Sequence, residues 1–136
     1  MSKKSLLLCI LIALFSIALA GCEPPVEPPP PPDPTPTVVN DVLIFEVQAE
    51  EFQFTPNEFV VPANQPVTFV MTSIDDFHTF TVKRDEADEE NLFNLQVLAG
   101  FTDEITWTFE ETGDYYLYCI NHEDEGMVGT ITVVEE

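Results

Sequence analysis

Three side chains near the C-terminus carry donor atoms at a spacing that suits a metal ion. They are the thiol of Cys119, the imidazole of His122 and the thioether of Met127, set as Cys-x2-His-x4-Met between two strand-like runs. Two imidazoles and a thiolate in a near-trigonal plane, with a weak axial sulfur, form the donor set that favours copper cycling between Cu(II) and Cu(I). The second imidazole must come from elsewhere, and His78 is the other histidine in the chain. Taken singly, each residue has a blander reading. A free Cys is often buried without function, a lone His is commonly structural or solvated, and a Met fills cores.

The frame around these residues is more specific than the residues themselves. Gly113-x-Tyr115-x-x-Tyr118-Cys119, followed by Gly126-Met127-Val128-Gly129, resembles the cupredoxin (type 1, blue-copper) family, and its plastocyanin-like branch in particular, over roughly residues 42–134. The resemblance implies one type 1 copper per chain held by His78, Cys119, His122 and Met127. It also implies a Greek-key β-sandwich, redox proteins as partners, and electron transfer rather than enzymatic turnover. The chain departs from the family pattern in four places, one of them a run of three residues. Asn64 stands where the family often has Gly, Thr79 where plastocyanins usually have Asn, Asn121 where they place Pro, and Glu123-Asp124-Glu125 where they carry small neutral residues. The Tyr before the Cys can lie on a partner-facing surface in that family, and Tyr118 matches it. The outer edge of the His122 ring is expected at the surface, as the route for electrons.

Strands must carry this site. Leu43, Phe45, Val47 and Ala49 alternate with polar neighbours, as do Val67, Phe69 and Met71, then Phe93, Leu95 and Val97, then Ile105, Trp107 and Phe109, the period-2 pattern of half-buried strands. Pro62 to Pro66 reads as a turn, and Lys83 to Asn91 as a solvated charge run. His78, Phe80 and Val82 share one face of a strand that opens at the histidine. Tyr115, Leu117 and Cys119 share the inward face of another, with Tyr116 and Tyr118 turned away. Residues 129–134 supply the last strand. The expectation is an all-β, Greek-key β-sandwich of about seven to eight strands with no convincing helix. Strand parity puts Cys119 on the core side, beside the His78 corner, so the donors converge at one pole.

The N-terminal third reads differently. A short basic start, an apolar run from Leu6 to Ala20 and Leu19-Ala20-Gly21-Cys22 match the bacterial lipoprotein pattern, in which the Cys takes lipid and becomes the new N-terminus. The apolar run is short for a membrane span of about 20 residues. Residues 1–21 are therefore assigned to a signal peptide, 22–39 to a lipid-anchored, proline-rich tether, and 40–136 to the folded domain. A polyproline II tether of that length reaches on the order of 45 Å. With Cys9 in the signal and Cys22 lipidated, Cys119 is left as a lone thiol in a compartment where disulfides persist, and copper ligation accounts for it.

The charge balance narrows the partners. All 25 acidic residues lie beyond the signal, where Lys83 and Arg84 are the remaining cations. That excludes nucleic acid and attraction to anionic lipid, and points to a partner with a basic docking surface or to solubility in a saline habitat. The chain is read as a monomeric, membrane-tethered carrier facing the periplasm or cell exterior, moving single electrons between redox proteins. The alternatives are an extracytoplasmic copper carrier, which the lack of Met-rich or His-rich tracts disfavours, and a metal-free interaction module. A dinuclear oxidase-type copper domain needs a second Cys at position 123, which is Glu, and a multicopper oxidase needs more histidines and more domains.

Overall fold

Alternating apolar residues build two sheets whose inner faces close on a lattice of phenylalanines. The computed structural model describes residues 35–135; the segment expected to be a signal peptide, Cys22 and most of the expected tether lie outside the described residues. The strands are β1 Thr37–Val39, β2 Val42–Glu50, β3 Gln53–Thr55, β4 Glu58–Pro62, β5 Pro66–Ser73, β6 His78–Lys83, β7 Phe93–Val97, β8 Thr102–Thr108, β9 Gly113–Tyr118 and β10 Val128–Val134. No helix occurs among the described residues. One sheet runs β1-β2-β5-β8 with β3 also on β2, and the other runs β4-β10-β9-β6-β7. β2 with β5 and β4 with β10 are parallel pairs, which hairpins cannot make. The result is the cupredoxin-like β-sandwich expected from the sequence.

Facing side chains fill the interior in offset and edge-on aromatic contacts. Phe45 meets Phe59 at 5.4 Å, Phe59 meets Phe69 at 5.4 Å and Phe69 meets Phe80 at 5.0 Å between ring centroids. Such pairs contribute about 0.5–1.5 kcal/mol each beyond their burial. This aromatic block fixes the spacing of the two sheets directly beneath the pole that carries Cys119 and His78.

The strand count needs correction. Among the described residues there are ten strands rather than seven or eight, because β1 and β3 are three residues each, too short to show a period. β1 lies just before residue 40. Thr37, Val38 and Val39 pair with Ile44, Leu43 and Val42 across a tight turn in which Asn40 and Asp41 both take positive φ, a conformation that Asn and Asp tolerate well.

Candidate metal centre

The register of β6 against β9 sets the site. Thr81 lies opposite Tyr118 and Lys83 opposite Tyr116, so the start of β6 runs alongside the residues that leave β9. Cys119 emerges there with its side chain fully buried. Its amide donates to the Met127 carbonyl at 3.0 Å. The next turn folds back on itself: His122 N–H donates to Cys119 O at 3.1 Å, Gly126 N–H to Glu123 O at 3.0 Å, and Met127 N–H to His122 O at 3.0 Å. Gly126 sits at φ +88, a conformation open to glycine and strained for most side chains. The loop thereby returns Met127, also fully buried, to the start of β10.

Donor atoms from three of the four expected residues converge. His78 Nδ1 lies 4.0 Å and His122 Nδ1 3.5 Å from Cys119 Sγ, and the two Nδ1 atoms are 3.2 Å apart. Bonds of about 2.0 Å to nitrogen and about 2.3 Å to thiolate, set at about 120°, would place N···N near ~3.5 Å and N···S near ~3.7 Å. The two N···S separations bracket their value and the N···N separation is slightly shorter than its own, so the three atoms surround a space fit for one ion. The donor chemistry, two imidazoles and a thiolate, suits copper. Met127 lies in the same loop and is fully buried.

Neighbouring groups hold the donors in place. Thr79 N–H donates to Cys119 Sγ at 3.3 Å, and Thr79 Oγ1 accepts from Ile120 N–H at 2.8 Å. Thr79, where the family pattern has Asn, thus supplies both the contact to sulfur and a clamp on the loop. His78 is 1% exposed, and its Nε2 lies 2.8 Å from Asp75 Oδ1. The Glu51 amide and, next, the His78 ring hold the Asp75 carboxyl below its usual range. His122 is half-buried, with the Phe52 ring against it at 4.8 Å between centroids.

Two of these residues escaped the sequence reading. Asp75 had a signal, since an acid three residues before a histidine in a polar corner can reach its ring. Phe52 had none, because its position depends on a turn between two strands of which one is three residues long. Tyr118 departs from the expectation of a partner-facing surface. It is only 6% exposed, its hydroxyl donates to Asn91 Oδ1 at 2.8 Å, and the Lys83 ammonium covers its ring at 4.4 Å. Tyr116 stacks beside it at 5.6 Å. Burial first, and then Glu123, push the Tyr116 phenol up to about 12.

Comparison with known proteins agrees with this geometry. Residues 42–134 match the model for copper binding proteins of the plastocyanin/azurin family. A plastocyanin of Mercurialis perennis is 34% identical over 94 residues, covering 61% of this chain and 89% of that protein. Cytochrome c oxidase subunit 2 of Thermus thermophilus is 33% identical over 94 residues, covering 65% of this chain and 64% of the subunit. The chain therefore spans less than two thirds of that relative. Among solved structures, auracyanin A of Chloroflexus aurantiacus superposes with a TM-score of 0.60 at 22% identity, covering 68% of this chain and 99% of that one. Reduced auracyanin from Roseiflexus castenholzii gives 0.59 at 21% identity, covering 71% and 99%. At those identities the fold is what is shared. The chain belongs to the plastocyanin/azurin family of copper-binding proteins, the cupredoxins, with one type 1 copper as its cofactor.

Proposed function

We propose that His78, Cys119, His122 and Met127 hold the copper, and that the protein is a lipid-anchored carrier moving single electrons between redox proteins outside the cytoplasm. The observation that carries this reading is the convergence of His78 Nδ1, His122 Nδ1 and Cys119 Sγ, all within 4.8 Å of one another, at a pole walled by a rigid β-sandwich. Copper in such a donor set supplies a one-electron couple. The protein's part is to keep one geometry for both oxidation states: the loop hydrogen bonds fix Cys119 and His122, and Thr79 N–H holds the sulfur. A dinuclear centre is not favoured, since position 123 is Glu and Cys119 is the one free cysteine among the described residues.

The surface around His122 supports a cationic partner. Glu123 is half-buried, and Asp124 and Glu125 are exposed, directly after the ring that approaches the surface. Fixed negative charge there steers a basic redox protein to this pole, with a rate that falls as salt rises. Tyr118 is closed off by Lys83 and Asn91, which leaves the His122 edge as the exit. Lipid on Cys22 and the proline-rich segment would keep the domain near the membrane while allowing it to swing between partners.

The test is direct. Cu(II) added to the metal-free chain should give an intense visible thiolate-to-copper band and a narrow copper hyperfine splitting in EPR. Cys119→Ser should abolish the band, and full colour in that variant would sink the assignment.

A further inference from the structure

Glu51 and Phe52 are consecutive residues with positive φ, at 46° and 64°. They form the two-residue turn between β2 and β3, flanked by the pair Glu50 and Gln53. Positive φ at both central positions is the type I′ arrangement, which favours Asn-Gly and resists a bulky aromatic residue. A turn of this kind persists only where its surroundings over-determine it.

Two contacts do so, and both lead to the metal centre. Glu51 N–H donates to Asp75 Oδ2 at 2.9 Å, and the Phe52 ring lies on His122. The other oxygen of the same carboxylate, Oδ1, is 2.8 Å from His78 Nε2. A carboxylate only accepts, so the His78 proton sits on Nε2 and the Nδ1 lone pair faces Cys119 and His122. One side chain thus fixes the tautomer and rotation of one imidazole and anchors the turn that covers the other.

We propose that Asp75 is a positioning residue for the metal centre, aiming His78 Nδ1 with one oxygen and, through Glu51, holding Phe52 as a cap over His122 with the other. The proposal rests on the copper reading above. It has an electronic consequence as well as a steric one. A carboxylate accepting the Nε2 proton makes the opposite nitrogen a stronger donor, which favours Cu(II). The cap, still 46% exposed itself, excludes water from the His122 ring and is the first group a partner meets there.

Two variants of the full chain separate these roles. Asp75→Asn keeps the size and removes the charge. Glu51→Asn with Phe52→Gly gives the turn its favoured residues and removes the ring. Asp75→Asn should retain the visible band, shift the reduction potential upward and speed hydrogen exchange at His78 Nε2 by about tenfold or more in the Cu(I) protein. The double variant should leave His78 exchange unchanged and speed exchange at the His122 ring N–H by a similar factor. Unchanged potential and unchanged His78 exchange in Asp75→Asn would overturn the proposal, as would unchanged His122 exchange in the double variant. If Asp75→Asn does not fold, His78 Nε2 exchange in the parent decides: the rate of a free imidazole refutes the proposal and strong protection supports it. A parent with no visible band would sink the copper reading alone, while His78 exchange in the metal-free chain would still report on Asp75.

Discussion

Thr79 and Cys119, 40 positions apart, are tied twice: the Thr79 amide donates to the Cys119 sulfur at 3.3 Å, and the Thr79 hydroxyl accepts from the amide next to that cysteine at 2.8 Å. The two bonds join the first turn of β6 to the loop that leaves β9. They therefore connect the strand carrying one imidazole to the segment carrying the thiolate and the other imidazole. Acting together, they resist any drift of His78 away from Cys119.

The hydroxyl half of this clamp can be removed without changing the backbone half. Thr79→Val keeps the shape and the N–H to sulfur but leaves the Ile120 amide without its acceptor. A part-buried hydrogen bond contributes about 0.5–1.5 kcal/mol, so the metal-free variant should unfold at lower denaturant by that amount. Thr79→Ser should restore most of it. Equal stability of the Val variant and the parent would show that the hydroxyl is not holding the loop.

Met127→Leu tests whether the thioether would act as a weak donor to the copper. Leu and Met are close in volume, so the buried position should tolerate the change at a cost of less than about 1.5 kcal/mol. Copper should stay bound by the two imidazoles and the thiolate. The reduction potential should rise, because a donor that favours Cu(II) is gone. Loss of copper would contradict this and turn attention to Glu123 or Glu125 as ligands.

The site was legible in the sequence to the extent that parity and spacing decide geometry. Cys119 follows the inward residues Tyr115 and Leu117 at a period of two, and His122 and Met127 are tied to it by a loop too short to carry them elsewhere. His78 opens a strand whose alternate residues Phe80 and Val82 are buried, so it had to arrive at the same pole. Tyr118 was misread because the groups that cover it, Lys83 at the end of β6 and Asn91 in the loop that follows, belong to a charge run, and nothing in such a run signals that it folds onto an aromatic face. β1 was hidden by its proline-rich neighbours, and the Phe52 cap by a turn whose residues contradict the usual turn chemistry. For Tyr118 and Phe52 a long-range contact overrode local composition.

Gly129→Ala should weaken the frame from the far side of the loop. A Cβ there would lie 2.3 Å from the Asn57 carbonyl oxygen and 2.9 Å from Leu117 Cδ2. The carbonyl cannot simply move, since it accepts from Thr130 N–H at 2.9 Å where β4 and β10 begin to pair. Overpacking of this kind costs about 2–3 kcal/mol. Denaturant titration should show a lower midpoint at unchanged m-value, and a midpoint equal to the parent's would mean that the strands part without cost.

The raised phenol of Tyr116 gives stability a dependence on pH in the alkaline range. Burial and Glu123 favour the neutral form in the folded chain and hold ionisation off to about 12, whereas an unfolded tyrosine ionises near pH ~10. Above the unfolded value the unfolded chain has lost a proton that the folded chain keeps, so the slope of stability against pH is negative. The contribution is complete below pH ~10 and is lost as pH rises toward the folded value. Absorbance titration should resolve one tyrosine ionising near pH 12 in the folded protein. Glu123→Gln should bring that ionisation down by removing the neighbouring charge, with burial keeping part of the shift. Tyr116→Phe should flatten the loss of stability over the same window. If Tyr116→Phe leaves the alkaline slope intact, the loss belongs to other groups and the Tyr116–Glu123 contact does not contribute to it.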